Sequence, residues 1–277
     1  MPGAAGRVKR DTIMPDVVKS PDGTLIAYDR HGEGPAVVLV QGAFTDRRHP
    51  LMTAIATGLS RWFTVYNYDR RGRGGSGDTQ PYAVEREVED LAAVIGAAGG
   101  SAMVFGGSSG AALALEAAVA IPGITKLAVW EPPYHVDDSA PALPLDLAER
   151  LSLLVETGNR AEAVELFLVE AAEVPREAVA GMRSHPAWAE MEAVAHTLAY
   201  EAAVLGPGNA LPAALLADIT QPTLVLNGAD SPAWMANAGL EVAAAVPGAV
   251  RRVLEDQTHN VAPEALVPEL LEFFVTA

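Results

Sequence analysis

The chain has 277 residues, with 19 Lys and Arg against 35 Asp and Glu, a formal charge of −16, 50% hydrophobic residues and no cysteine. The missing cysteine excludes disulfides, thiolate catalysis and Cys-ligated zinc or iron–sulfur centres. The acidic balance argues against a nucleic-acid partner, whose phosphates call for clustered Lys and Arg.

Residues 1–16 carry Arg7, Lys9 and Arg10 with no apolar stretch behind them, and read as a short flexible leader rather than a signal peptide. Residues 19–28 read as strand, Asp22-Gly23 turn and strand. Ala36–Val40 is a continuous apolar run ending in Gln41-Gly42, the pattern of a strand buried on both faces of a parallel sheet. Another strand is expected over 63–69, followed by a glycine-rich loop over 70–77. Over 84–98, Val84, Val88, Leu91 and Ile95 recur at helical spacing among Glu85, Glu87, Glu89 and Asp90. A short strand at 103–105 leads through 106–110 into an Ala/Leu-rich helix that Pro122-Gly123 stops. Strands at 126–130, 223–226 and Val250–Leu254 follow, and the last helix carries Leu266, Leu270, Leu271 and Phe274.

This alternation predicts an α/β fold, a mostly parallel sheet with helices on both faces. It breaks between Pro132 and Leu216, where helical periodicity appears at Leu147-Leu151-Leu154 and Ala163-Leu166-Phe167. The expected organisation is a core formed by 17–131 and 218–277, with a helical cap inserted over 132–217. No apolar run approaches the roughly 18–20 residues of a membrane span, so a soluble cytoplasmic protein is expected, without a membrane partner.

Gly106-Gly107-Ser108-Ser109-Gly110 fits G-x-S-x-G between a strand and a helix. Such a turn is too tight for side chains two positions before and after the serine, and its strain lifts the hydroxyl above the sheet. The helix behind it aims backbone N–H groups and a positive dipole end at the site, which suits a developing oxyanion. A serine hydroxyl needs a base. Of six histidines, His31 lies in a turn, His49 in a loop, His185 and His196 in the insertion, and His135 just past the strand at 126–130. His259 follows the last strand, in a loop that emerges at the same sheet edge as Ser108, and is the expected base.

Together, Leu39-Val40-Gln41-Gly42-Ala43, Tyr68-Asp69-Arg70-Arg71-Gly72-Arg73-Gly74-Gly75-Ser76, residues 106–110, Gly228-Ala229-Asp230 and Gln257-Thr258-His259 resemble the α/β-hydrolase superfamily from Ser20 to Phe274. Within it the chain is similar to capped, bacterial esterase- and lactonase-like enzymes. That resemblance implies an eight-stranded, mostly parallel α/β-hydrolase sheet flanked by helices. It also implies Ser108 as nucleophile, His259 as base, and an oxyanion hole from the backbone N–H groups of Ala43 and Ser109. Asp69 and the arginines after it are expected to be a structural loop.

Two positions depart from the family pattern: Gln41 stands where many relatives have the His of a His-Gly pair, and Gly107 where many have His before the nucleophile. The triad acid stays open. The superfamily's usual site, three residues past a glycine, falls on Ser231, with Asp230 one residue early. A second known placement, after the strand that follows the nucleophile helix, falls on Glu131. Asp256 is a third candidate.

Gln41, Phe44, Trp130, Tyr134, His135 and Trp234 are expected at the substrate pocket, with Trp188 and Met235 as further aromatic or sulfur-bearing candidates. No P-loop, H-E-x-x-H or EF-hand pattern is present, and residues 73–77 lack dinucleotide-site spacing, so no cofactor and no metal is implied. The expected function is a serine hydrolase cleaving an ester, lactone or related acyl bond of a small apolar molecule. The alternatives are carbon–carbon cleavage, acyl transfer or a cofactor-free rearrangement on the same fold, or a non-catalytic ligand-binding homologue. A homodimer is left open.

Overall fold

A computed structural model describes residues 15–276. The expected leader lies outside the described residues for positions 1–14. Strand β1 (Asp16–Lys19) pairs antiparallel with β2 (Leu25–His31) across a tight turn. In that turn the Thr24 N–H donates to Asp22 Oδ1 at 2.8 Å, the local bond that favours Asp at such positions.

From there strands and helices alternate: β3 (Ala36–Val40), α1 (Pro50–Leu59), β4 (Thr64–Tyr68), α2 (Val84–Ala97), β5 (Ala102–Gly107), α3 (Ser109–Ala120) and β6 (Ile124–Trp130). The segment after β6 holds α4 (Leu147–Glu156), α5 (Arg160–Glu170), α6 (Arg176–Met182), α7 (Ala187–Ala193), α8 (Leu198–Leu205) and α9 (Ala213–Leu216). The chain then returns as β7 (Thr223–Gly228), α10 (Ala233–Ala245), β8 (Val250–Leu254) and α11 (Pro263–Val275).

The eight strands form one sheet in the order β1-β2-β4-β3-β5-β6-β7-β8. Pairing is parallel from β4 to β8, and β2 alone is reversed, antiparallel to both of its neighbours, β1 and β4. The predicted α/β class and strand count are thus the observed ones. The central strands β3 and β5 carry no polar side chain because both of their faces are covered. Val38, Val40, Val104, Leu127 and Val129 look toward α2, α3 and α10, while Val37, Leu39, Phe105, Ala128 and Leu226 look toward α1 and α11. Each fully buried aliphatic side chain contributes about 1.5–3 kcal/mol.

Helix α1 was not expected from the sequence. Its buried Met52, Ile55, Ala56 and Leu59 recur at helical spacing, and Pro50 fits the first helical turn. Two of the acids of α2, Glu87 and Asp90, are buried along with its apolar residues. The helices between β6 and β7 share a third hydrophobic cluster, which includes Leu151, Phe167, Trp188 and Leu198. Among the described residues, no helix is long and apolar enough to cross a membrane.

Candidate active site

Ser108 sits where β5 ends and α3 begins, with φ 56° and ψ −129°. Crowding by glycine neighbours explains why that strained turn forms here. A Cβ on Gly110 would stand 2.4 Å from Gln41 O and 2.5 Å from Val40 O, and one on Gly106 would stand 2.4 Å from Gly110 O. Only the bare backbone lets α3 start this close to β3 and β5. The Ser108 N–H donates to Trp130 O at 2.8 Å, tying the turn to β6.

His259 lies in the loop between β8 and α11. Its Nε2 is 3.2 Å from Ser108 Oγ and its Nδ1 is 2.8 Å from Glu131 Oε2. Trp130 Nε1 donates to His259 O at 3.1 Å and anchors that loop. Glu131 is fully buried, directly after β6, in a left-handed backbone conformation with φ 44°. Its other oxygen, Oε1, accepts the Gly228 N–H at 2.8 Å. A carboxylate with one oxygen on a backbone donor and the other on the imidazole fixes the ring: Nδ1–H donates to Glu131, and the Nε2 lone pair faces Ser108.

Of the open carboxylates, the structure brings Glu131 to the histidine and leaves Asp230 away from it. Asp230 is exposed past the end of β7, its N–H donating to Gln257 O at 2.9 Å, and Asp256 is exposed as well. The reason is the sheet register: Trp130 pairs with Leu226, so the residue after β6 reaches the sheet edge below His259, and Gly228 leaves Glu131 a free N–H.

The loop after β3 approaches the serine from the other side. A Cβ on Gly42 would lie 3.1 Å from both Ser108 Cβ and Gly107 O, so Gly42-Ala43 lies against the elbow. Ala43 and Phe44 pack on the cluster between β6 and β7. Phe44, at φ 59°, meets the Phe167 ring edge-on with centroids 5.6 Å apart.

Behind that loop lies a buried ionic cluster. Arg70 pairs with Glu87 through two bonds of 2.7 Å and donates to Glu201 at 2.8 Å and to Gln41 O at 3.1 Å. Arg73 donates to Gly42 O at 2.5 Å and contacts Glu201. Burial works to raise the Glu87 carboxyl, but Arg70, Arg73 and the Tyr82 hydroxyl together outweigh it and the net shift is downward. Desolvation, then the neighbouring Arg70 cation, lower Arg73 to about 9, so it remains a cation at neutral pH. Asp69 holds the Arg47 and Gly75 N–H groups at 2.7 Å, and Arg71 clasps Asp90. Glu201 escaped sequence reasoning. Its signal was legible: a single acid in the apolar helix Leu198–Leu205, where an unpaired buried charge would be costly.

The other expected pocket residues are distributed unevenly. Gln41 is fully buried and donates from Nε2 to Asn67 Oδ1 at 3.0 Å, so its side chain is turned into the sheet beside β4 rather than onto an open wall. Trp130 and Tyr134 are members of the two main hydrophobic clusters, and Trp188 belongs to the third. Trp234 is buried at the start of α10, its ring edge-on to His135 with centroids 5.1 Å apart. Burial lowers the His135 pKa. Among the described residues, no group of three or more His, Asp or Glu side chains is arranged to hold a metal ion.

Comparison with known proteins agrees with this architecture. The chain is 53% identical to an alpha/beta hydrolase from Sphaerobacter thermophilus DSM 20745, covering 94% of this chain and all of that one, with a TM-score of 0.87. It shares its fold with the enol-lactonase from Burkholderia xenovorans LB400, at 22% identity over 94% of this chain and 100% of that one, TM-score 0.71. Over 106 residues it is 34% identical to the uncharacterized hydrolase YraK of Bacillus subtilis (strain 168), spanning 36% of this chain and only 38% of that protein. The family model described as alpha/beta hydrolase family matches residues 37–269, and the chain belongs to that family.

Proposed function

We propose that this hydrolase is a serine enzyme cleaving an ester, lactone or similarly activated acyl group of a small, mostly apolar molecule. The observation that carries this reading is the continuous hydrogen-bond path from Ser108 Oγ through the His259 ring to Glu131, at 3.2 and 2.8 Å. His259 Nε2 takes the Ser108 proton as Oγ attacks the carbonyl carbon. Glu131 holds the ring tautomer and offsets the charge on the imidazolium that forms. The tetrahedral oxyanion is held by the N–H groups of Ser109, at the positive end of α3, and Ala43. Collapse expels the alcohol, protonated by His259, and a water activated by the same nitrogen releases the acid.

The helices between β6 and β7 serve as the cap in this reading. Support comes from the packing of Ala43 and Phe44 against their hydrophobic cluster, which leaves an apolar ceiling beside the nucleophile. Phe44, Phe167, His135 and Trp234 are the side chains proposed to meet substrate.

Two measurements test the reading. Wild-type protein should hydrolyse p-nitrophenyl esters and be labelled at Ser108 by a fluorophosphonate. Ser108→Ala should lose both while keeping its thermal unfolding midpoint. Turnover that persists in the folded Ser108→Ala protein would sink the proposal.

A further inference from the structure

The peptide between Gly42 and Ala43 is one rigid plane in which the carbonyl and the N–H point in opposite directions. Whatever grips the Gly42 oxygen therefore sets the direction of the Ala43 N–H. Two donors grip it: Arg73 Nη1 at 2.5 Å and Thr45 Oγ1 at 2.9 Å. The preceding carbonyl, Gln41 O, is held by Arg70 Nη1 at 3.1 Å. Ser108 stands against the same residue, its Cβ 3.1 Å and its Oγ 3.7 Å from the site of a Gly42 Cβ.

Neither arginine stands free. Both reach Glu201 of α8, which is fully buried, and Arg70 is braced a second time by Glu87. Two cations and two carboxylates balance, so the cluster carries no net buried charge. Glu201 is its only member from the helical segment between β6 and β7. A cation on a carbonyl oxygen also draws density from the amide and strengthens its N–H as a donor, an effect that grows in a dry interior.

We infer that Arg73, held in place by Glu201, is a positioning residue for the oxyanion site: it clamps the Gly42 carbonyl from behind and so aims and polarises the Ala43 N–H beside Ser108. This inference deepens the proposed serine-hydrolase reading and rests on it. Arg73 touches no reacting atom. Its effect reaches the oxyanion through one peptide plane, and it links the helical segment that covers the nucleophile to the donor that acts beside it.

The test compares wild type with Arg73→Met/Glu201→Gln, a pair that removes one buried cation and one buried anion together and keeps the cluster balanced. Steady-state hydrolysis of a p-nitrophenyl ester is measured with the inhibition constant of a simple alkyl boronic acid, a tetrahedral mimic. Removing an oxyanion donor outright costs about 10²–10³ in kcat, so misaiming one should lower kcat roughly 10–100-fold, with KM within about twofold. The boronic acid should weaken in parallel with kcat, which a merely structural role would not produce. Arg73→Lys, which keeps a cation for the same carbonyl, should recover most of the loss.

A folded double variant with kcat within about threefold of wild type, or with KM raised and kcat unchanged, overturns the inference and leaves the serine-hydrolase reading intact. If the double variant does not fold, Arg73→Gln decides, because Arg70 still pairs Glu201 while the cation on the Gly42 carbonyl is gone: a lower kcat at constant KM with the boronic acid weakened in parallel supports the clamp, and an unchanged kcat overturns it. Wild-type protein that neither hydrolyses the ester nor is labelled at Ser108 fails the parent reading first, and the inference with it.

Discussion

Replacing Glu131 by Gln changes one oxygen for an NH2 at a fully buried position and leaves shape untouched. The carboxylate now accepts from the Gly228 N–H at 2.8 Å with Oε1 and faces His259 Nδ1 at 2.8 Å with Oε2. An amide can satisfy only one of these two donors. With its oxygen on Gly228, its NH2 points at Nδ1, which must then become the acceptor, and the ring proton moves to Nε2, facing Ser108. The base is lost. Flipped over, the amide places NH2 against the Gly228 N–H, and two buried donors meet, at a cost of about 1–3 kcal/mol. The productive tautomer is thus held to roughly a tenth to a hundredth of the population, since each 1.4 kcal/mol is about tenfold. Losing the carboxylate's support of the imidazolium adds to that, and the combined fall in kcat should be about 10³–10⁴. Steady-state ester hydrolysis and the rate of fluorophosphonate labelling would both report it, with thermal unfolding as the check on folding. Asp230→Asn, at an exposed carboxylate, serves as the control and should stay within about threefold of wild type, as surface changes commonly do. A Glu131→Gln protein that keeps more than a tenth of wild-type kcat, or an Asp230→Asn protein that falls as far, would refute this assignment of the acid.

Two further outcomes bear on stability. Gly110→Ala drives a Cβ to 2.4 Å from Gln41 O and 2.5 Å from Val40 O, both backbone atoms of a central strand's end, so it should destabilise by at least about 1–3 kcal/mol in denaturant unfolding; a midpoint equal to wild type would show that the elbow has slack. Burial holds His49, His135 and His196 below the usual histidine value of 6.5, so the unfolded chain binds protons there before the folded one does. Stability from these groups is present above that value and is lost as pH falls below it, so the unfolding temperature should drop between pH 7 and about 5.5; a flat or rising midpoint would contradict the assignment.

Much of the site was legible because it is local. The strained turn declares itself in Gly106, Ser108 and Gly110, where no side chain fits two positions either side of the serine. His259 was legible through its place after the last strand, since parallel strands deliver all their carboxyl ends to one edge. The acid was not, because two carboxylates leave neighbouring strands at that edge and only pairing register separates them: Trp130 opposite Leu226 carries Glu131 under the imidazole, while Asp230 runs on into an exposed loop. Helix α1 was missed although Met52, Ile55, Ala56 and Leu59 show its period. Glu87 was read only as one of the acids interspersed among the apolar positions of α2. Nothing in the helical period says that a guanidinium from the loop after β4 will meet it.

The alternation of strand and helix, the class of fold and the place of the strained serine turn follow from the sequence alone, since periodicity, glycine placement and chain order are local quantities. The sequence also excluded a thiol nucleophile, there being no cysteine in the chain. Which of the 35 acidic residues pair at the centre of the molecule depends on the packing of distant elements. Glu131 on His259, and Glu87 and Glu201 on the two arginines, join residues between 17 and 131 positions apart. A buried charge is stable only beside a counter-charge or enough hydrogen-bond partners. Which counter-charge arrives is set by how the sheet and helices pack, not by any feature of the residue itself.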